Sequence, residues 1–421
     1  MVATFPQEAA FWLRRLPIWH YIMSMQRIYH QLIRRHLAKY RQMVFLSGPR
    51  QVGKTTLAKD FSSSYLDWDN VDARALILKG PSAVSAGMVD KLSSSLPVVV
   101  FDEIHKYRKW KDFLKGFFDT YEERVRVIAT GSARMDIYAR GGDSLMGRYF
   151  PYRIHPLSVA ELLGGDLPTQ EQLTRPPRCL DESSWQALLQ HGGFPEPFLR
   201  REIAFTRRWR SLRTVQLLKK DVADLYQTTE LSQLEVVARI LANRSSEQLV
   251  AASLAEEVRV SENTVREWVT VLKTLYYGFE LRPWFRNIEN ALRKTPKWHL
   301  RDWSMVADEG KRAETFVACQ LLKAVEGWTD MGLGDFELFY LRDKKKREVD
   351  LLVARDGEPW FLAEVKKADD TLSPHLGYFQ KVTGARHAFQ VVLDAPYVEA
   401  DCFARTTPVV VPARTLLSQL L

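Results

Sequence analysis

Apolar residues in this chain gather into short runs separated by stretches of helical spacing. Met43-Val44-Phe45-Leu46 is one such run, uncharged and the right length for a buried strand. Tyr65-Leu66-Asp67-Trp68, Pro97-Val98-Val99-Val100-Phe101 and Val125-Arg126-Val127-Ile128-Ala129 read as further strands. The run ending at Phe101 is β-branched and uncharged, as a strand covered on both faces should be. Thr55 to Phe61 reads as helix, and strands alternating with helical stretches predict a parallel α/β sheet. This domain is expected over 41–165, closing at Gly164-Gly165 and the proline-containing stretch to Pro177.

Residues 1–40 form a basic, helix-like segment in which Ile28, Leu32, Ile33 and Leu37 recur at helical spacing among Arg27, Arg34, Arg35 and Lys39. Such a segment is either a packed helix with a solvated basic face or an arm that meets phosphates. Residues 166–235 read as a helical, lid-like region crowded with Arg200, Arg201, Arg207, Arg208, Arg210 and Arg213. Within 236–300, Leu249 to Val258, a turn at Val260-Ser261-Glu262-Asn263 and Thr264 to Leu275 have the form of a helix-turn-helix in a winged-helix-like domain. Ser261 is the natural N-cap of its second helix. Thr264, Arg266 and Lys273 would be its DNA contacts, although Glu267 sits badly beside phosphate. Trp284-Phe285-Arg286 and Lys294-Thr295-Pro296-Lys297-Trp298 read as a wing or a docking surface. A strand-rich α/β unit is expected over 301–421.

The chain has 421 residues, more than one hydrophobic core usually serves. Its hydrophobic and charged fractions, 46% and 26%, are those of an ordinary soluble protein. A net charge of +9 favours an anionic partner, nucleic acid being the commonest. Cys179, Cys319 and Cys402 lack metal-ligand spacing. No apolar run reaches the roughly 18 residues of a membrane-spanning helix. The apolar stretch Phe11 to Met25 is broken by Arg14, Arg15, Pro17 and His20, a poor signal peptide, so a cytoplasmic protein is expected.

Gly48-Pro49-Arg50-Gln51-Val52-Gly53-Lys54-Thr55 stands between the first strand and the first helix. A glycine loop entering a helix supplies converging backbone N–H groups for phosphate. Lys54 would reach the β- and γ-phosphates, Thr55 would place its hydroxyl on Mg²⁺, and Thr56 completes the loop of an ATP site. The strand Val98 to Phe101 ends in Asp102-Glu103. Asp102 would hold Mg²⁺, and Glu103 would orient or deprotonate the attacking water. Thr130 and Ser132, at the end of the next strand, are candidates for contact with the γ-phosphate or that water. Arg148 is a candidate for stabilising the transferring phosphoryl group, from a neighbouring subunit if the enzyme assembles.

Leu46 to Leu57, Asp102-Glu103-Ile104-His105-Lys106, Thr130-Gly131-Ser132, Ser144 to Arg148, Pro156-Leu157-Ser158 and Gly192-Gly193-Phe194-Pro195-Glu196-Pro197 together resemble a large bacterial and archaeal family of AAA-type P-loop ATPases. The resemblance covers nearly everything from about Arg27 onward. It implies a P-loop ATPase domain, a winged-helix middle region and a C-terminal DUF4143 domain related to the restriction-endonuclease-like fold.

Arg347 to Val353 and Trp360 to Lys366 read as the two strands of a hairpin. Side chains alternate along a strand, so Glu364 and Lys366 share a face. Asp350 and Glu364 could then share a Mg²⁺, with Lys366 positioning water. This arrangement resembles the motif of restriction-endonuclease-like nucleases, whose extra acidic residue Glu314 would match. A merely charged hairpin face accounts for the spacing nearly as well.

Two functional readings follow. One is an oligomeric ATPase that moves or remodels duplex or branched DNA and carries a nuclease-like tail. The other is an ATP-controlled switch with a protein partner, its tail a binding module.

Overall fold

The computed structural model describes residues 26–86, 96–131, 145–222, 230–285 and 295–421. Five strands, β1 (Met43–Ser47), β2 (Ser64–Asp67), β3 (Val98–Asp102), β4 (Arg126–Thr130) and β5 (Tyr149–Arg153), form one sheet in the order β2-β3-β4-β1-β5. Every pairing is parallel, so all the C-terminal strand ends lie along one edge. Strands β1 to β4 match the apolar runs to within a residue at either end. Strand β5 was not expected, because Pro151 interrupts it. Proline lacks a donor and is tolerated at a sheet edge, which is where β5 lies.

One face of this sheet, through Phe45, Val99 and Phe101, packs on Trp110, Phe113 and Phe117 of the helix Trp110–Tyr121. The other face, through Val44, Leu46, Val100 and Ile128, opens into a core shared with Trp185 and Phe194 of the helical region and Phe316, Leu351 and Phe389 of the C-terminal unit. The first domain therefore has no separate core on that side.

The middle region holds helices Leu231–Asn243, Ala251–Val258 and Glu262–Thr274, followed by the hairpin β6 (Gly278–Pro283) and β7 (Lys297–Leu300). Ser261 caps the third helix as expected, its Oγ accepting from the Thr264 N–H at 3.1 Å. Leu234, Trp268 and Trp298 fill a core of their own. The hairpin ends at Leu300, and its sheet continues into the C-terminal unit. Strand β6 pairs in parallel with β8 (Phe336–Arg342). With β9 (Glu348–Arg355), β10 (Glu358–Lys366), β11 (His387–Val392) and β12 (Val409–Pro412) they make a seven-stranded sheet ordered β12-β11-β10-β9-β8-β6-β7. The helix Glu309–Asp330 packs on it and extends to β5, where Arg153 bonds Asp330.

The Gly192-Gly193 stretch permits the close meeting of these parts. A Cβ on Gly193 would lie 2.5 Å from the Trp303 ring and 2.8 Å from the Leu157 carbonyl. Trp303 in turn donates its indole N–H to the Leu188 carbonyl at 2.7 Å.

Candidate functional site

The loop after β1 turns through residues of positive φ at Gly48, Gln51 and Gly53. Gly48 must be glycine on two counts: φ is 138°, and a Cβ would come within 2.3 Å of the Ile154 carbonyl oxygen. Residues 48–53 thus form one tight loop at the C-terminal edge of the sheet, closed by the helix Lys54–Lys59. Lys54 folds back across it and donates to the Gly48 and Pro49 carbonyls at 2.7 and 2.9 Å. Arg50 leaves the loop and pairs at 2.9 Å with buried Asp221 of the helical region. Beside the loop, Arg27, Thr56, Leu57, Pro195 and Leu199 line a recess.

Asp102 is the hub of the site. Its Oδ2 accepts from the Thr55 hydroxyl at 2.9 Å and from the Tyr65 hydroxyl at 2.5 Å, and its Oδ1 accepts from Thr130. Thr55, Asp102 and Thr130, expected together, are together. Tyr65 was not singled out; burial and the Asp102 carboxylate push its phenol well above the ordinary range. Two adjoining hard oxygens, the Thr55 hydroxyl and an Asp102 carboxylate, suit Mg²⁺, which usually takes only one or two protein carboxylates and leaves its remaining positions to water and phosphate.

Glu103 follows in a left-handed turn (φ 54°). Its carboxylate lies 3.3 Å from the Lys106 ammonium, which also pairs with Asp69. Ser132 and Ser144 lie outside the described residues, as do 1–25 and Arg286 and Lys294 of the stretches read as a wing or a docking surface. Arg148 stands at the opposite end of the sheet from the loop: its carbonyl accepts from Met43 at the start of β1, and its guanidinium makes a two-pronged bond to Asp119 at 2.7 and 2.9 Å. It does not approach the loop of its own chain.

Sequence reasoning gave Arg27 only a place in a basic face, yet it is buried and central. It donates to the Val52 carbonyl of the loop at 2.7 Å, to the His155 carbonyl at 2.6 Å, and through two N–H groups to Glu161 at 2.9 Å each. Glu161 also binds Lys323 of the helix Glu309–Asp330. Burial opposes the Glu161 charge, but Arg27 and Lys323 hold its carboxyl down at about 2. Burial in turn draws Lys323 down to about 8. One helical turn on, Glu326 lies 2.7 Å from His155. None of this has a local signature, because the partners of the ion pairs are more than a hundred residues apart.

In the C-terminal unit, Glu314, Asp350, Glu364 and Lys366 do come together. Glu364 and Lys366 pair at 2.8 Å, and Asp350 accepts from the Val365 N–H at 2.9 Å. Burial first, and Asp350 second, raise Glu314 to about 8 and Glu364 to about 7. Lys297 of β7, read from sequence as part of a wing, enters the same cluster. Among the described residues no group of three or more His, Cys, Asp or Glu side chains is placed to hold a metal ion. On the helix Glu262–Thr274, Arg266 pairs with Glu262, and Lys273 with Glu280 at 2.5 Å.

A parallel sheet with a glycine loop after β1, the strand next to its edge, and a Thr–Asp–Thr cluster beside that loop have the form of an AAA-type P-loop domain. The comparisons agree. Residues 40–163 match the model of the AAA domain, residues 182–309 a domain of unknown function (DUF8612), and residues 309–396 another (DUF4143). An uncharacterised protein of Mycobacterium tuberculosis and one of Mycobacterium bovis are each 26% identical over 338 residues, covering 76% of this chain and 69% of the relative. Among solved structures, C. elegans PCH-2 (13% identity, 59% of this chain, 67% of that one) and AMPPCP-bound DnaA from Aquifex aeolicus (12%, 59% and 88%) align with TM-scores of 0.23 and 0.26, too distant to bear on function. No described helix is long and apolar enough to cross a membrane.

Proposed function

We propose that the chain is a Mg²⁺-dependent ATPase that works, as a cytoplasmic oligomer, on duplex or branched DNA. The observation that carries the reading is the meeting of Thr55, Asp102 and Thr130 beside the loop that Lys54 spans. Loop amides and the Lys54 ammonium bind the triphosphate, and the recess beside Thr56 and Pro195 takes the base. Thr55 and Asp102 would hold Mg²⁺, which when bound offsets negative charge on the phosphate oxygens. Glu103 orients the attacking water and takes its proton, and Thr130 steadies the reacting end. Arg148, remote from its own loop, serves the site of a neighbouring subunit. The net charge of +9 and the helix Glu262–Thr274 support DNA as the substrate. The C-terminal unit, of restriction-endonuclease-like fold, is its DNA-engaging end. The test is the steady-state ATPase rate with and without duplex, single-stranded and four-way-junction DNA, with Lys54→Ala as the blank. A rate indifferent to every DNA refutes the DNA reading; a rate equal to the blank refutes both.

A second reading is supported by the Arg27–Glu161–Lys323 connection between the loop and the C-terminal unit. There ATP acts as a switch that sets the pose of a binding module for a protein partner, and turnover is slow without regard to DNA.

A further inference from the structure

Strand β7 is buried at every position. Trp298 and Leu300 face the middle core, so Lys297 and His299 face the helix Glu309–Asp330. A lysine buried there is costly unless its charge is matched. The ammonium of Lys297, whose side chain is only 4% exposed, lies 2.9 Å from Glu314 Oε1, 2.5 Å from Glu348 Oε1 and 3.4 Å from Asp350 Oδ1. Three N–H donors thus face three carboxylates.

A nuclease-like domain of this type implies a divalent ion among Glu314, Asp350 and Glu364, and the residues present do not fit one. Such an ion needs free carboxylate oxygens at about 2.0–2.6 Å. Here Asp350 Oδ1 faces Lys297 and its Oδ2 is held by the Val365 N–H. Glu314 Oε1 is held by Lys297, and Glu364 Oε1 by Lys366, while Glu364 Oε2 is buried without a hydrogen-bond partner, one open buried oxygen where a divalent ion takes several. A dication beside Glu314 and Asp350 would meet an ammonium that has no room to turn into solvent.

We propose that the chain supplies its own cation at this place: Lys297 stands where the divalent ion of a nuclease would sit, and the C-terminal domain engages its partner without cutting a phosphodiester. Lys297 reaches the cluster from the hairpin of the middle region, across the seam between β6 and β8. The charge balance of the C-terminal domain is therefore completed by the domain before it. The proposal goes beyond the ATPase reading and does not depend on it.

The test uses the full chain without nucleotide, titrated with Mn²⁺ by calorimetry, as wild type, Asp350→Asn, Lys297→Met and the Lys297→Met/Asp350→Asn pair. Wild type and Asp350→Asn are expected to bind Mn²⁺ alike. Lys297→Met is expected to gain a Mn²⁺ site that the double variant lacks. Wild-type Mn²⁺ binding that Asp350→Asn abolishes overturns the proposal, and so does a folded Lys297→Met that gains no site. Mn²⁺-dependent cleavage of labelled duplex by wild type, lost in Asp350→Asn, overturns it as well. If Lys297→Met does not fold, the comparison of wild type with Asp350→Asn decides alone.

Discussion

Arg27 Nη1 donates to the Val52 carbonyl at 2.7 Å, so a side chain from before the first strand grips the glycine loop. The same guanidinium is neutralised by Glu161, and Glu161 is shared with Lys323 of the C-terminal unit. The loop is thereby tied to a helix more than two hundred and fifty residues away.

Glu161→Gln removes the one negative charge between two buried cations. The expected loss is about 3–5 kcal/mol of stability, the usual cost of orphaning buried charge. Lys323→Met leaves the Arg27–Glu161 pair intact and should cost less. Because the folded carboxyl titrates at about 2 against an ordinary 4.5, its contribution is fully present above pH 4.5 and is lost as pH falls towards 2. Urea melts from pH 6 downwards should show wild type losing stability more steeply than Glu161→Gln across that window.

Arg148 lies away from its own loop, which makes its action in trans testable by mixing. Arg148→Ala should bind ATP normally and hydrolyse it about 10³-fold more slowly, the scale of a lost arginine finger. Mixed with Lys54→Ala, whose arginine is intact, it should regain part of its turnover. No regain in mixed assemblies would remove Arg148 from catalysis.

Lys106 holds Glu103 at 3.3 Å and competes with the water that Glu103 is proposed to orient. The pair is partly solvated, and such pairs contribute up to about 1 kcal/mol. Lys106→Met should therefore raise basal ATP turnover by no more than about fivefold, while Glu103→Gln abolishes it. Single-turnover rates separate the two.

Gly193→Ala tests whether the Gly-Gly-Phe-Pro stretch is packing rather than chemistry. Its added methyl meets Trp303 and the Leu157 carbonyl, and overpacking of this kind costs about 1–3 kcal/mol. The midpoint of unfolding should fall, with ATP affinity unchanged in the folded fraction.

The loop, strands β1 to β4 and the Ser261 cap were legible in the sequence because each is a local matter of spacing, propensity or a single hydrogen bond. Asp102 and Thr130 were legible because a carboxylate and a hydroxyl at neighbouring strand ends follow from the parallel order. Arg27, Tyr65 and Lys297 were not. Each owes its place to partners distant along the chain, and a buried arginine or lysine looks in sequence like any solvated one. Strand β5 was hidden by Pro151, and the pairing between β6 and β8 is one that nothing local announces.

That pairing has a mechanical consequence. The Trp284 N–H to Tyr340 carbonyl bond carries the stitching one residue past β6. A force applied to the three-helix unit is thus handed across the sheet to β8 and its neighbours.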